Sequence, residues 1–252
     1  MTTFEPGQIQ DLRQRLADAC RVLGTLGLAS ANTGHLSVRV PESDNLLIRA
    51  RGPAEAGVRY TTVDEILEVT PDGEIAAGAR EGLYPPQEVF IHTEVYRSRP
   101  DVTSVVHVHP PTVVLFTITD LPLLPIFGAY DPGALKICTD GIANFDRSVL
   151  ISNPKLGKEL ATALGSHNVC TMRGHGITAT GSSIEEASLR AISLNDLAEM
   201  NYRARLLGTP RPISDEDLAS FSRMGMDNKP VSANRIGALW RYYQRLTGII
   251  AG

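Results

Sequence analysis

Cysteine is scarce in this 252-residue chain, which holds only Cys20, Cys138 and Cys170. An odd number, widely spaced and without a C-x-x-C pair, excludes a disulfide framework and points to buried thiols in a reducing compartment. Long apolar runs are also missing. No stretch approaches the length of a membrane span, and the opening MTTFEPGQIQDLRQRL lacks the apolar core of a signal peptide. A cytoplasmic soluble protein is the expectation. Basic charge is not in excess either: 24 Lys and Arg against 28 Asp and Glu leave a net charge of −4, with no electrostatic reason to expect nucleic acid or an anionic membrane as partner. Phosphate-loop signatures are absent, since "GPAEAG" lacks the Gly-Lys-Ser/Thr ending and no G-x-G-x-x-G follows a strand. Without internal repeats, low-complexity tracts or a convincing linker, residues 1–252 read as a single α/β domain.

What is present is ordinary globular composition, 42% hydrophobic and 21% charged, patterned into alternating elements. Ile9, Leu12, Leu16, Leu23 and Leu26 recur at helical spacing, so residues 7–27 read as an amphipathic helix ended by Gly27. Leu36, Val38 and Val40 alternate as in a strand, "NLLIRA" reads as a second, and "ILEVTPDGEIAAG" as strand, turn and strand. "YPPQEVFIHTEVYRSRPDV" begins with prolines suited to a helix start. "VTSVVHVH" is a strand, "PKLGKELATALG" a helix, and "NVCTMRGHGITATG" two strands around a Gly-His-Gly turn. Ser183 and Glu186 form a capping box for a long helix to Leu207, residues 209–232 read as a loop or lid, and "RIGALWRYYQRL" is a last helix able to cover the site.

The six histidines carry the chemistry. His107 and His109 are two apart on a strand, so both face one side while Val106 and Val108 face the other, and Pro110 ends the strand beside them. His175 sits between Gly174 and Gly176, which remove steric bulk and let the backbone turn tightly beside a ligand. Glu88 lies just ahead of the H-x-H strand, four residues from His92 on the same helix face. Three neutral imidazoles with an open position suit a catalytic metal, and a nearby carboxylate suits acid–base work. His92 reads as a structural residue, packing or hydrogen-bonding within its helix, and His167, in "GSHN", as an exposed loop residue.

The run "PPQEVFIHTEVYRSRPDVTSVVHVHP" followed by "MRGHGITATGSSIEEA" resembles the class II aldolase/adducin family, with E-x3-H-x3-Y-x-x-R-P-D-V, H-x-H and R-G-H-G in order. The resemblance spans roughly Ile9 to Arg205. It implies a three-layer α/β/α domain around a mainly antiparallel sheet, a homotetramer with sites between subunits, one divalent ion on His107, His109 and His175, and Glu88 as the catalytic acid/base. Histidine-rich sites accept zinc, manganese, cobalt or iron.

Departures from the sugar-phosphate aldolases of the family suggest a different substrate. Their phosphate-holding G-N-x-S-x-R reads here "GHLSVR", with His35 in place of the Asn; "IRARGPAEAG" lacks their hydroxyl-glycine pair, and Pro86-Gln87 replace Ser-Ser. "GHLSVR", "IRARGPAE" and "VRYTTVDEILEVTPDGE" look more like the branch of hydroxy-aromatic decarboxylases, acting on dihydroxyphthalate or hydroxy-methylpyridine-dicarboxylate. Arg49 and Arg51, one strand step apart, are candidates to grip a carboxylate, with solvated arginines on an edge strand as the alternative. His35 is either a substrate ligand or general acid, or a turn-stabilising residue. Asn32 and Tyr242 are further substrate-binding candidates, and Tyr130, in "FGAYDPG", sits near where the aldolases supply a tyrosine from a neighbouring subunit. The expected function is metal-dependent, non-oxidative decarboxylation of a hydroxylated aromatic acid. A class II aldolase is the second reading, and a non-catalytic adducin-like module the third.

Overall fold

A computed structural model describes residues 6–76, 81–119, 121–223 and 229–250. The sheet strands are β1 (His35–Arg39), β2 (Leu46–Arg49), β3 (Ile66–Val69), β4 (Ser104–Val108), β5 (Ala143–Phe145), β6 (Val169–Met172) and β7 (Gly176–Gly181). The helices are α1 (Pro6–Thr25), α2 (Val89–Ser98), α3 (Pro111–Thr117), α4 (Pro132–Asp140), α5 (Pro154–Leu164), α6 (Ile184–Leu207), α7 (Asp215–Arg223) and α8 (Lys229–Leu246). The strands form one sheet in the order β3-β2-β1-β4-β7-β6-β5, antiparallel except for the parallel β5–β6 pair. This is the α/β fold with a mostly antiparallel sheet that the sequence led us to expect.

Strand alternation sorts the side chains into two cores. Leu36, Val38, Leu47, Val106, Val108, Ile177 and Ala179 face the layer of α1 and α6, joined there by Trp240 of α8. Leu46, Ile48, Leu67, Val69, Val105, Cys170 and Met172 face α2 and α5. Because successive residues point to opposite faces, His35, Ser37 and Arg39 of β1 and His107 of β4 belong to the α2 side. The site is thereby assigned to one layer.

Several local features differ from the sequence reading. The 209–232 segment contains α7, started by Ser214, whose hydroxyl accepts the Asp217 N–H at 3.1 Å; residues 224–228 of that segment lie outside the described residues. Helix α8 begins at Lys229, ahead of the expected Arg235. The hairpin read in "ILEVTPDGEIAAG" is reduced to β3 and a single Val69–Ile75 bridge, its end lying outside the described residues. At α6 the Ser183 hydroxyl accepts the Glu186 N–H as expected, but the Glu186 carboxylate accepts from Ser182, one residue earlier than a standard box.

Candidate metal centre

His107 is the next-to-last residue of β4 and His109 follows the strand end, where its N–H is held by the Leu28 carbonyl oxygen at 3.0 Å. His175 comes from the β6–β7 turn. Gly174 there has φ +58°, a left-handed conformation that favours glycine, and its N–H donates to Thr117 Oγ1 at 2.9 Å. Gly176 is required by contact: a Cβ there would lie 2.5 Å from both His109 Cδ2 and the Val108 carbonyl oxygen. Any larger residue would push His109 off the cluster. Glu88 is the N-cap residue of α2.

Glu88, His107, His109 and His175 each offer a ligand atom, and these atoms lie within 4.8 Å of one another. Glu88 Oε2 is 3.3 Å from His175 Nε2 and 3.5 Å from His107 Nε2, while His107 and His109 bring their Nε2 atoms to 2.8 Å. Ligands about 2.0–2.1 Å from a tetrahedral ion are separated by about 3.4 Å, so the carboxylate–imidazole spacings match the edges of a filled coordination shell. The Nδ1 atoms of His107 and His175 are buried without a hydrogen-bond partner. The Nε2 atoms of the three imidazoles converge on the Glu88 carboxylate, the placement in which nitrogen lone pairs can be shared with a cation. The cluster fits a divalent metal.

Its electrostatics agree. Burial pushes the Glu88 carboxyl up, but hydrogen bonds and charge from His107 and His175 outweigh it and hold it well below the usual carboxylate range. Burial lowers the pKa of His107, and burial with the neighbouring His107 pulls His109 down to about 3. A carboxylate facing three imidazoles is the donor set a divalent ion takes.

His35 stands opposite His107 in the β1–β4 register, with ring centroids 5.0 Å apart. Behind it lies His92, whose ring nitrogens bond His35 and Ser37. His92 thus belongs to a polar chain running up to the site, a connection that sequence spacing could not show because its partner is 57 residues away.

The expectation for the arginine pair needs correction. Strand β2 is interior to the sheet, and Arg49 is only 2% exposed. Its donors reach Thr61 Oγ1 at 3.1 Å, the carbonyl oxygens of Asn32 and Gly34 at 3.4 and 3.2 Å, and Glu55 at 2.5 Å. Arg49 is therefore spent on the protein itself, bracing the turn before His35. Arg51 also binds Glu55, through Nε at 2.8 Å, but its side chain is 43% exposed. The two arginines do share a face, and the chain supplies its own carboxylate, Glu55, to meet them. Asn32 is exposed in the braced turn. Tyr130 and Tyr242 line a cleft with Asp131, Asp196 and Tyr243, none of whose lining residues belongs to the metal cluster.

Fold and site together define a metal-binding α/β protein of the class II aldolase type. Residues 14–202 match the family described as Class II Aldolase and Adducin N-terminal domain, and the chain belongs to that family. It is 42% identical over 215 residues to a 3,4-dihydroxyphthalate decarboxylase of Terrabacter sp. (strain DBF63), covering 84% of this chain and 90% of that protein. A 3,4-dihydroxyphthalate decarboxylase of Arthrobacter keyseri is 38% identical over 246 residues, covering 94% and 99%. Among solved structures, L-fuculose 1-phosphate aldolase from Glaciozyma antarctica PI12 superposes with a TM-score of 0.80 at 21% identity over 98% of this chain and 95% of that one, a likeness of fold. Among the described residues no helix is long and apolar enough to cross a membrane.

Proposed function

We propose that the chain is a metal-dependent, non-oxidative decarboxylase of a hydroxylated aromatic carboxylate of the dihydroxyphthalate kind. The observation that carries this reading is the intact Glu88–His107–His109–His175 cluster with His35 beside it. His107, His109 and His175 would hold the ion, with the Glu88 carboxylate facing it. A bound divalent cation supplies Lewis acidity for negative charge on a substrate oxygen.

Carbon dioxide can leave an aromatic ring only after the carbon that bears it is protonated. Glu88 is held as an anion and carries no proton to give at rest. His35, beside the His107 ring, is the second candidate. Buried and neutral, it takes the proton of the hydroxyl beside the departing carboxylate and returns it to the ring carbon. When the carbon–carbon bond breaks, its electron pair restores the aromatic ring and leaves a phenolate, which takes a proton from water. Arg51, with its exposed guanidinium, faces a second carboxylate of the substrate. A homotetramer would bring Tyr130, 76% exposed, to the site of a neighbouring copy.

The test is carbon dioxide release from a panel of ortho-hydroxy aromatic acids, 3,4-dihydroxyphthalate first, beside cleavage of fuculose and ribulose phosphates. Release from the aromatic acid with no sugar-phosphate cleavage is the expected result. The converse would make the chain an aldolase.

A further inference from the structure

Behind His35 runs a row of buried side chains that no step above requires to touch the substrate. His35 Nδ1 lies 2.7 Å from His92 Nε2, and His92 Nδ1 lies 2.6 Å from Ser37 Oγ. Ser37 Oγ lies 2.8 Å from the Tyr96 hydroxyl, which donates to the Thr103 carbonyl oxygen at 3.3 Å. His92 and Ser37 are fully buried and Tyr96 is 4% exposed, with the Arg39 guanidinium 4.6 Å over its ring. The row is buried and hydrogen-bonded from end to end.

A carbonyl oxygen can only accept, so a Tyr96 hydrogen given to Thr103 orders the remaining hydrogen bonds of the row. Tyr96 gives its hydrogen to Thr103, so its oxygen accepts from the Ser37 hydroxyl. The Ser37 oxygen then accepts from His92 Nδ1–H, and the bare Nε2 of His92 accepts from His35 Nδ1–H. Four hydrogen bonds form. The opposite direction forms three within the protein and leaves His35 Nε2–H looking for an acceptor; in a low-dielectric interior the fully satisfied order prevails. Burial pulls His92 down to about 3, so the row carries tautomers and not charges.

The geometry points to His92, Ser37 and Tyr96 as positioning residues that set the tautomer of His35, with the proton on Nδ1 and a lone pair on Nε2 beside the His107 ring. This is the form able to take a hydroxyl proton from an aromatic substrate. What Nε2 then does rests on the decarboxylase reading, whereas the tautomer is a property of the resting protein.

Imidazole nitrogen NMR on the zinc-loaded full chain tests the inference without substrate, the His35 signals being assigned by their loss in His35→Gln. In the wild type the His35 proton is expected on Nδ1. Tyr96→Phe removes one oxygen and little else; the Ser37 hydroxyl then turns to His92 Nδ1, the row reverses, and the His35 proton moves to Nε2. With 3,4-dihydroxyphthalate, kcat should fall about 10–100-fold, as on losing an outer-shell partner, with KM changing less than about threefold and zinc content unchanged. His92→Gln, whose amide can replace Nε2, should retain more kcat than His92→Asn, whose amide replaces Nδ1. A wild-type His35 protonated on Nε2, or a tautomer indifferent to Tyr96→Phe, would overturn the assignment. If the tautomer shifts as expected but no aromatic acid loses carbon dioxide, the positioning row stands and the decarboxylase reading falls.

Discussion

Glu88 Oε1 accepts the backbone N–H of Ile151 at 2.9 Å, which leaves Oε2 to face His107 and His175. The tether joins the start of α2 to the segment ahead of α5 and stops the carboxylate from turning away. Glu88→Gln can keep the Ile151 bond through its amide oxygen while losing the negative charge. The fold should survive, by circular dichroism, and turnover should drop by about 10–100-fold, as on losing a carboxylate that faces the ion. Unchanged kcat would remove Glu88 from the chemistry.

Removing an imidazole from the cluster tests the metal directly. His107→Ala takes away the fully buried ring that stands between Glu88 and His109. Near-stoichiometric metal in the wild type and its loss in the variant are expected by inductively coupled plasma mass spectrometry. Chelator treatment of the wild type should lower its melting temperature, because a ligand bound only by the folded state stabilises it.

The two arginines should separate cleanly. Arg49→Ala strands the buried Glu55 carboxylate with Arg51 alone and unties the turn at Asn32 and Gly34, which should cost about 3–5 kcal/mol of stability in chemical denaturation. Arg51→Ala leaves the Arg49–Glu55 pair intact, so stability should change by less than about 1 kcal/mol. Its signature is kinetic: KM for a dicarboxylate rising about tenfold, with little change for a monocarboxylate analogue.

Burial, reinforced by Asp131, raises the Asp196 carboxyl from 3.8 to about 6. The native state therefore holds this proton more tightly than the unfolded chain. The contribution to stability is complete below about 3.8 and is lost as pH rises through about 6. Asp196→Asn should remove that part of the pH dependence and gain on the wild type above pH 6, as read from denaturation midpoints at pH 4, 5, 6 and 7. Equal midpoint differences at all four would refute it.

Legibility followed the range of the forces involved. The histidine cluster could be read because strand alternation puts His107 and His109 on one face and two glycines announce the turn at His175. Helices α1 and α5 carry apolar periodicity, and α5 and α6 are started by the caps Asn153 and Ser183. Strand β5 does not: three residues long, it exists by pairing in parallel with β6. Helix α7 was missed despite a readable Ser214–Asp217 start, because the Pro- and Asn-rich surroundings dominated the composition. The partners of Arg49 and His92 were not legible, for a common reason. Their partners, Glu55 for one and His35 with Ser37 for the other, become neighbours only once the sheet is closed, and no periodicity records that.

The cluster draws its members from the start of α2, the end of β4 and the β6–β7 turn, spread over residues 88 to 175. A growing chain that has reached β4 owns Glu88, His107 and His109, yet its third imidazole has still to be made. The complete set of four ligand atoms therefore exists only once β7 has paired with β4. An early-arriving ion would find only two histidines on a sheet edge not yet covered.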